Sequence, residues 1–296
     1  MLVSPRYLAA ALFAAGMLDV AVATSAAAGN PQRGKVIFAL AAGCGCHTSA
    51  HGPVGAGGGE VPTPFGTFVG SNITPDPDTG IGRWSDDEID AAIRRGVSRA
   101  RGIETPAMPY YQYSGMADED VADLIAYLRI LPAVHQPNRA HAGEPPLARL
   151  AYRAWRLLFF WPRQAAPVAP STGSERGRYL VEHVSICVDC HTPRNSLGVP
   201  KRSMYLAGST HGAGGHAVPN ITPDPTGIGE WDMEDIDNVI SFGRLPDFDT
   251  VQGLMAEVVD GHGGGPGYKD APDNDRRAIA AYLKSVPPLH NVIADE

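Results

Sequence analysis

Residues 71–96 read SNITPDPDTGIGRWSDDEIDAAIRRG, and residues 219–243 read PNITPDPTGIGEWDMEDIDNVISFG. A stretch this long that returns once in the same chain marks an internal duplication, and the duplication sets the architecture. Working outward, RGKVIFALAAGC (33–44) matches RGRYLVEHVSIC (176–187) upstream. Downstream, DEDVADLIAYLRILP (118–132) matches DNDRRAIAAYLKSVP (273–287). Each copy therefore runs helix, Cys-Cys-His, long loop, helix, loop, helix, Pro.

The helices are legible from their caps and periodicity. Ser85 and Glu88 form a capping box ahead of Ile89 and Ile93, which share one face. Val121, Leu124, Ile125 and Leu128 recur at i, i+3, i+4 and i+7 between Asp118 and Pro132. Ile279, Tyr282 and Leu283 repeat the plan before Pro287 and Pro288. The segments between are rich in Gly and Pro and carry no convincing strand pattern. The expected fold is all-α and loop-rich, with two tandem domains at 29–135 and 174–290, a linker at 136–173 and a tail at 291–296. Helices this short bury little apolar surface, so a bound prosthetic group is expected to complete each core.

Residues 187–191 read CVDCH, the C-x-x-C-H pattern of covalent haem attachment. Its thiols lie one helical turn apart, and the next residue offers an imidazole to iron. Residues 43–47 read GCGCH, which lacks one residue of the pattern. Gly34 precedes Cys44 by the same interval that separates Gly177 from Cys187. Cys44 thus occupies the position of Cys187, and one residue is missing between the thiols. Gly43 and Gly45 can take backbone conformations closed to other residues, which would let a shorter loop present both sulfurs. The expectation is two haem sites: Cys44, Cys46 and His47 in the first, Cys187, Cys190 and His191 in the second. If a single thioether forms in the first, Cys46 is the choice. A zinc site is the bland alternative, and it lacks a second Cys pair.

Sixth ligands are sought at equivalent places in the repeat. Met108 lies 61 residues after His47, between Pro106 and Pro109, and Met255 lies 64 after His191. Met116, Met204 and Met233 have no counterpart in the other copy. Core packing is the usual fate of methionine, and His211, His216 or His262 stay open as imidazole ligands in the second site. Asn72, Thr74, Asn220 and Thr222, with Trp84 and Trp231, are candidates for haem propionate contacts or for a packed Pro-rich turn. The runs GAGGG and GHGGGPG follow no strand, so they are not phosphate loops.

The chain has 296 residues, with 24 Lys and Arg against 32 Asp and Glu, a formal net charge of −8. That balance argues against a nucleic-acid partner. Residues 1–28 show the basic, apolar and small-residue order of a secretory signal, with cleavage expected near Ala28 and a periplasmic mature protein. The alternative is an uncleaved N-terminal membrane helix, against which Asp19 interrupts a short apolar run. Four Cys in an exported chain would suggest disulfides, yet each pair is local and followed by His. In the linker, LARLAYRAWRLLFFWP (147–162) sets Arg149, Arg153 and Arg156 on one side of a helix. The expectation is a helix packed between the domains; the alternative is a surface helix for a partner or lipid headgroups. AAPVAPSTGS (165–174) then reads as a flexible spacer.

Taken together, SNITPDPDTGIGRWSDDEI, PAMPY, LLFFWP, CVDCHTPRN, LAGS and AAIAAYLKSVPP resemble the cytochrome c subunits of membrane-associated bacterial alcohol, gluconate, sorbitol and aldehyde dehydrogenases. The resemblance covers roughly residues 30–290. It implies cytochrome c-type domains with His/Met haems, His47 and His191 proximal, Met108 and Met255 distal. It implies a catalytic dehydrogenase subunit as electron donor, with quinone, an oxidase or a soluble cytochrome as acceptor, and peripheral membrane association. Those subunits commonly carry a third haem domain and a membrane-binding tail, which this chain is expected to lack. The leading function is electron transfer with no catalytic residue of its own. The rival is a dihaem redox enzyme, of peroxidase or thiosulfate-oxidising type, with one exchangeable haem ligand.

Overall fold

The computed structural model describes residues 29–143, 147–212 and 215–293. The expected signal at 1–28 lies outside the described residues. Helix α1 (Pro31–Leu40) starts where Asn30 Oδ1 accepts the free N–H groups of Gln32 at 2.9 Å and Arg33 at 3.1 Å. A side-chain acceptor there satisfies donors the helix itself cannot. α1 packs against α4 (Asp118–Ile130), the helix read from the i, i+3, i+4 pattern. The second half repeats the pair: α6 (Gly173–Tyr179) runs into a π-turn (Leu180–Val184) and packs on α10 (Asp273–Ser285).

Glycine makes both crossings possible. A Cβ on Gly34 would overlap the carbonyl oxygen of Asp123, and one on Gly177 the carbonyl oxygen of Ala278. The Arg before each glycine then reaches across: Arg33 to Asp123, and Arg176 to Asp275 at 2.9 Å. Between the paired helices lie α2 (Asp86–Arg95) and α8 (Met233–Phe242), each opened by a capping box and closed by a left-handed glycine, Gly96 or Gly243. Their inner faces, Ile89 and Ile93, Ile236 and Ile240, are buried. The buried apolar side chains form one cluster through both halves, with Phe38, Leu40, Leu180, Val184 and Ile279 at its centre.

Three expectations are corrected. First, the loops contain short strands. β1 (Glu60–Thr63) pairs antiparallel with β2 (Gly66–Val69), and β3 (Val97–Ser98) with β4 (Gly102–Ile103). β1 contains Pro62, which an edge strand tolerates. β2 takes its outer partner from far along the chain, where Thr67 and Ala142 exchange both backbone bonds, at 2.8 and 2.9 Å. A pairing so distant leaves no local periodicity to read.

Second, α5 (Ala148–Phe159) is not packed on its aliphatic side. It contributes Ala148 to the buried core and, through Tyr110, its aromatic side: the Tyr110 ring meets Trp155 at 6.4 Å and Phe160 at 5.1 Å. Leu150, Leu157 and Leu158 point to solvent. Third, 165–174 is not a free spacer. Ala166 and Pro167 carbonyls accept from Asp118 and Glu119, the first N–H groups of α4, at 3.0 and 3.2 Å. The segment caps a helix that lacks a side-chain cap of its own,.

Candidate functional site

In the second half the motif is a single turn of helix, α7 (Cys187–His191). Its His191 ring places Nδ1 at 2.8 Å from the Pro219 carbonyl, so Nδ1–H donates and Nε2 is left for a metal,. Two further bonds fix the backbone around it. Gly208 N donates to His191 O at 2.8 Å, and Leu206 N to Thr192 Oγ1 at 3.0 Å. Burial lowers the pKa of His191, partly opposed by the bond to Pro219. A lowered pKa keeps the ring neutral, as a ligand must be.

The contracted motif reproduces this arrangement from His47 onward. His47 Nδ1 lies 2.7 Å from the Ser71 carbonyl, Gly57 N donates to His47 O at 2.8 Å, and Gly55 N to Thr48 Oγ1 at 3.0 Å. Burial lowers the His47 pKa as well. The missing residue is absorbed entirely upstream. Ala42, Gly43 and Cys44 take φ of 55°, 60° and 47°, a left-handed run inside the tight turn Ala42–His47. Gly43 behaves as expected, but Gly45 does not adopt positive φ. Its lack of a side chain serves another end: a Cβ there would overlap the ring of His262 from the second half. His262 therefore sits against the first motif's turn, while His211 and His216 are exposed.

None of the four cysteines is joined in a disulfide. Burial, and then the neighbouring Cys46, push the Cys44 thiol up to about 12. Among the described residues, no group of three His, Cys, Asp or Glu side chains is placed to hold a bare metal ion. A buried tyrosine stands by the first Cys of each motif, Tyr113 in one half and Tyr268 in the other. The buried Tyr268 hydroxyl lies beside the Cys187 thiol, and burial raises its pKa. Cysteine pairs outside any disulfide, each followed by an imidazole clamped through Nδ1, fit covalent haem.

Met108 lies in the turn between Thr105 and Pro109, where its N–H donates to Thr105 O at 3.0 Å. Met255 lies in the first turn of helix α9 (Gly253–Asp260), which the sequence did not reveal. Both are half-buried against the common core. α9 packs on the Ala42–His47 turn of the other half, and α3 (Tyr110–Tyr113), just after Met108, packs on the Leu180–Val184 turn.

The cytochrome c family matches residues 31–132. A diheme cytochrome c-type protein of Cereibacter sphaeroides is 41% identical over 268 residues, covering 88% of this chain and 87% of the relative. The chain belongs to the c-type cytochromes. It is also similar to the cytochrome c subunit of a quinone-dependent alcohol dehydrogenase from Gluconacetobacter polyoxogenes, 37% identical over 87% of the chain. The cytochrome c subunit of gluconate 2-dehydrogenase from Pantoea cypripedii is 36% identical over 86%. The cytochrome spans 56% and 59% of the lengths of these two subunits.

Two features of this cytochrome's sites escaped the sequence or were left open by it. Tyr111 donates to Asp189, inside the CVDCH turn, and Arg194 bonds both. Gln112 donates to the Ser185 carbonyl just before that turn. The Met108 segment of one half is thus tied to the attachment turn of the other, through residues with no motif of their own. The repeated Asn and Thr resolve as a clasp. Asn72 Nδ2 donates to Val134 O at 2.8 Å and Asn220 Nδ2 to Leu289 O at 2.8 Å. Thr74 and Thr222 bond the same Asn side chains and tails. All four are buried, and they hold the chain after α4 and α10 rather than reaching into a site.

Proposed function

We propose that this chain is a dihaem electron carrier that accepts electrons from a dehydrogenase and passes them toward the respiratory chain. It carries two covalently bound c-type haems in two tandem cytochrome c-type domains, 29–135 and 174–290. Cys187 and Cys190 attach one; Cys44 and Cys46 attach the other. His47 and His191 serve as proximal ligands, Met108 and Met255 as distal ones. The carrying observation is the matched imidazole clamp, His47 on Ser71 and His191 on Pro219.

Haem, when bound, supplies one-electron exchange at iron. The chain's own residues do the rest. Each backbone carbonyl holds its imidazole in one tautomer and orientation. Met108 and Met255 would offer the haem iron thioether sulfur, which favours the reduced metal, and as ligands they would keep small reactants out. Substrate chemistry then belongs to a partner, as the dehydrogenase-subunit names of the relatives support. The Tyr111–Asp189–Arg194 contact ties the segment after Met108 to the CVDCH turn, which supports two sites held in one fixed arrangement. The donor is a catalytic dehydrogenase subunit. The acceptor is quinone, an oxidase or a soluble cytochrome, at the periplasmic side of the inner membrane. Among the described residues no helix is long and apolar enough to cross a membrane.

The test is a haem count per polypeptide by pyridine haemochrome, with near-infrared spectra of the ferric protein. Two haems and a sulfur-to-iron band support the reading. One haem per chain, or rapid carbon monoxide binding by the native reduced protein, overturns it.

A further inference from the structure

Among the described residues, the aliphatic face of α5 has no partner. Leu150 is 62% exposed, Leu157 79% and Trp161 75%, with Leu147 and Leu158 similarly open. At 3.6 residues per turn Leu150, Leu157 and Leu158 fall within an arc of about 100°, and Leu147 and Trp161 flank the helix at either end. The arrangement inverts the usual surface helix, whose apolar stripe faces the core. Here Trp155 holds the inner side, with Nε1 donating to Leu197 O at 2.9 Å, and Arg156 stacks on Phe160 at 4.6 Å. Near the Trp155 side, Leu197 is also exposed, and neighbouring Gly198 lies against the exposed ring of Phe65.

Charge selects the occupant. From Leu147 to Arg163 there are four Arg and no Asp or Glu, in a chain of net charge −8. Arg163 pairs with Glu182 and Arg156 is turned inward, which leaves Arg149 and Arg153. Arg149 and Arg153 are exposed and run along one edge of the aliphatic stripe. An aliphatic stripe edged by arginines and ended by Trp suits a lipid interface, where guanidinium groups meet phosphates and leucines enter the acyl boundary. Protein hot spots use Trp, Tyr and Arg and under-use Leu; in α5 the aromatic side is turned inward and leucines face out.

We propose that α5, with the adjoining Leu197 and Phe65 loops, seats the protein on an anionic phospholipid surface. This gives the membrane-peripheral part of the function a definite face. It rests on α5 alone, so it fails or stands independently of the haem count.

The experiment is cosedimentation of the full holoprotein with vesicles, read by haem absorbance. Vesicles are phosphatidylcholine alone or with roughly one third phosphatidylglycerol. Wild type is expected to pellet with the anionic vesicles and to be released by salt. Leu150→Glu/Leu157→Glu is expected to weaken binding by more than about tenfold. Arg149→Gln/Arg153→Gln is expected to abolish the preference for anionic lipid. All changed positions are exposed, and an unchanged haem spectrum verifies folding. Because each variant keeps the same N-terminal segment, differences between them report on α5. Wild type left in the supernatant, or a double-Leu variant binding like wild type, overturns the proposal. So does loss of a concentration-dependent dimer in that variant, which would assign the face to a second copy.

Discussion

Gly34→Ala tests the packing that both halves share. A methyl group at Gly34 would land inside the Asp123 carbonyl and 2.8 Å from Tyr127 Cβ. The obstacle is the backbone of α4, which cannot swing aside, so α1 and α4 must separate. Overpacking of this kind costs about 3 kcal/mol at its upper end. Replacing a helical glycine with alanine returns about 1 kcal/mol through backbone entropy. The net destabilisation is therefore about 2 kcal/mol, or a fall in Tm of roughly 8–16 °C for a domain of about 100 residues. The assay is thermal unfolding of the holoprotein followed by far-ultraviolet circular dichroism. Gly177→Ala should match it, because its methyl meets the Ala278 carbonyl in the same way. Gly102→Ala is the control: φ is +74° and nothing lies within 4 Å, so strain alone costs about 1 kcal/mol. If Gly34→Ala melts no lower than Gly102→Ala, the close crossing is not what the repeated glycine provides.

The tryptic peptides 36–83 and 179–194 should each carry one haem mass, and in Cys44→Ala the first peptide should keep it through Cys46. Loss of haem from that peptide in Cys44→Ala would show that Cys46 alone does not hold it. Asp189→Asn removes a negative charge beside the second attachment turn, which should raise the reduction potential of one haem in a spectroelectrochemical titration. Two unchanged potentials would remove this carboxylate from any role between the sites. Asn220→Ala breaks buried bonds to Thr222, Thr226 and the Leu289 carbonyl, at a cost of about 2–3 kcal/mol. Stability in urea should fall while the haem spectrum and potentials stay put; shifted potentials with unchanged stability would return this side chain to the propionates.

The amino-acid order alone determined the parts of this cytochrome whose causes are local or repeated. Capping residues and apolar spacing announced α2, α4 and α10, because a helix is built from contacts three and four residues apart. The duplication aligned GCGCH with CVDCH and paired Met108 with Met255, with no structure needed. Tertiary structure alone decided which surfaces meet. No local signal says that the aromatic side of α5 packs while its leucines face water, since both faces are apolar. Nothing in the sequence near Gly45 announces the His262 ring that packs there, nor does Tyr111 announce Asp189. The clasp of Asn72 and Asn220 likewise depends on chain that returns more than 60 residues later. Such contacts are chosen by the packing of whole elements, and only the folded chain brings them together.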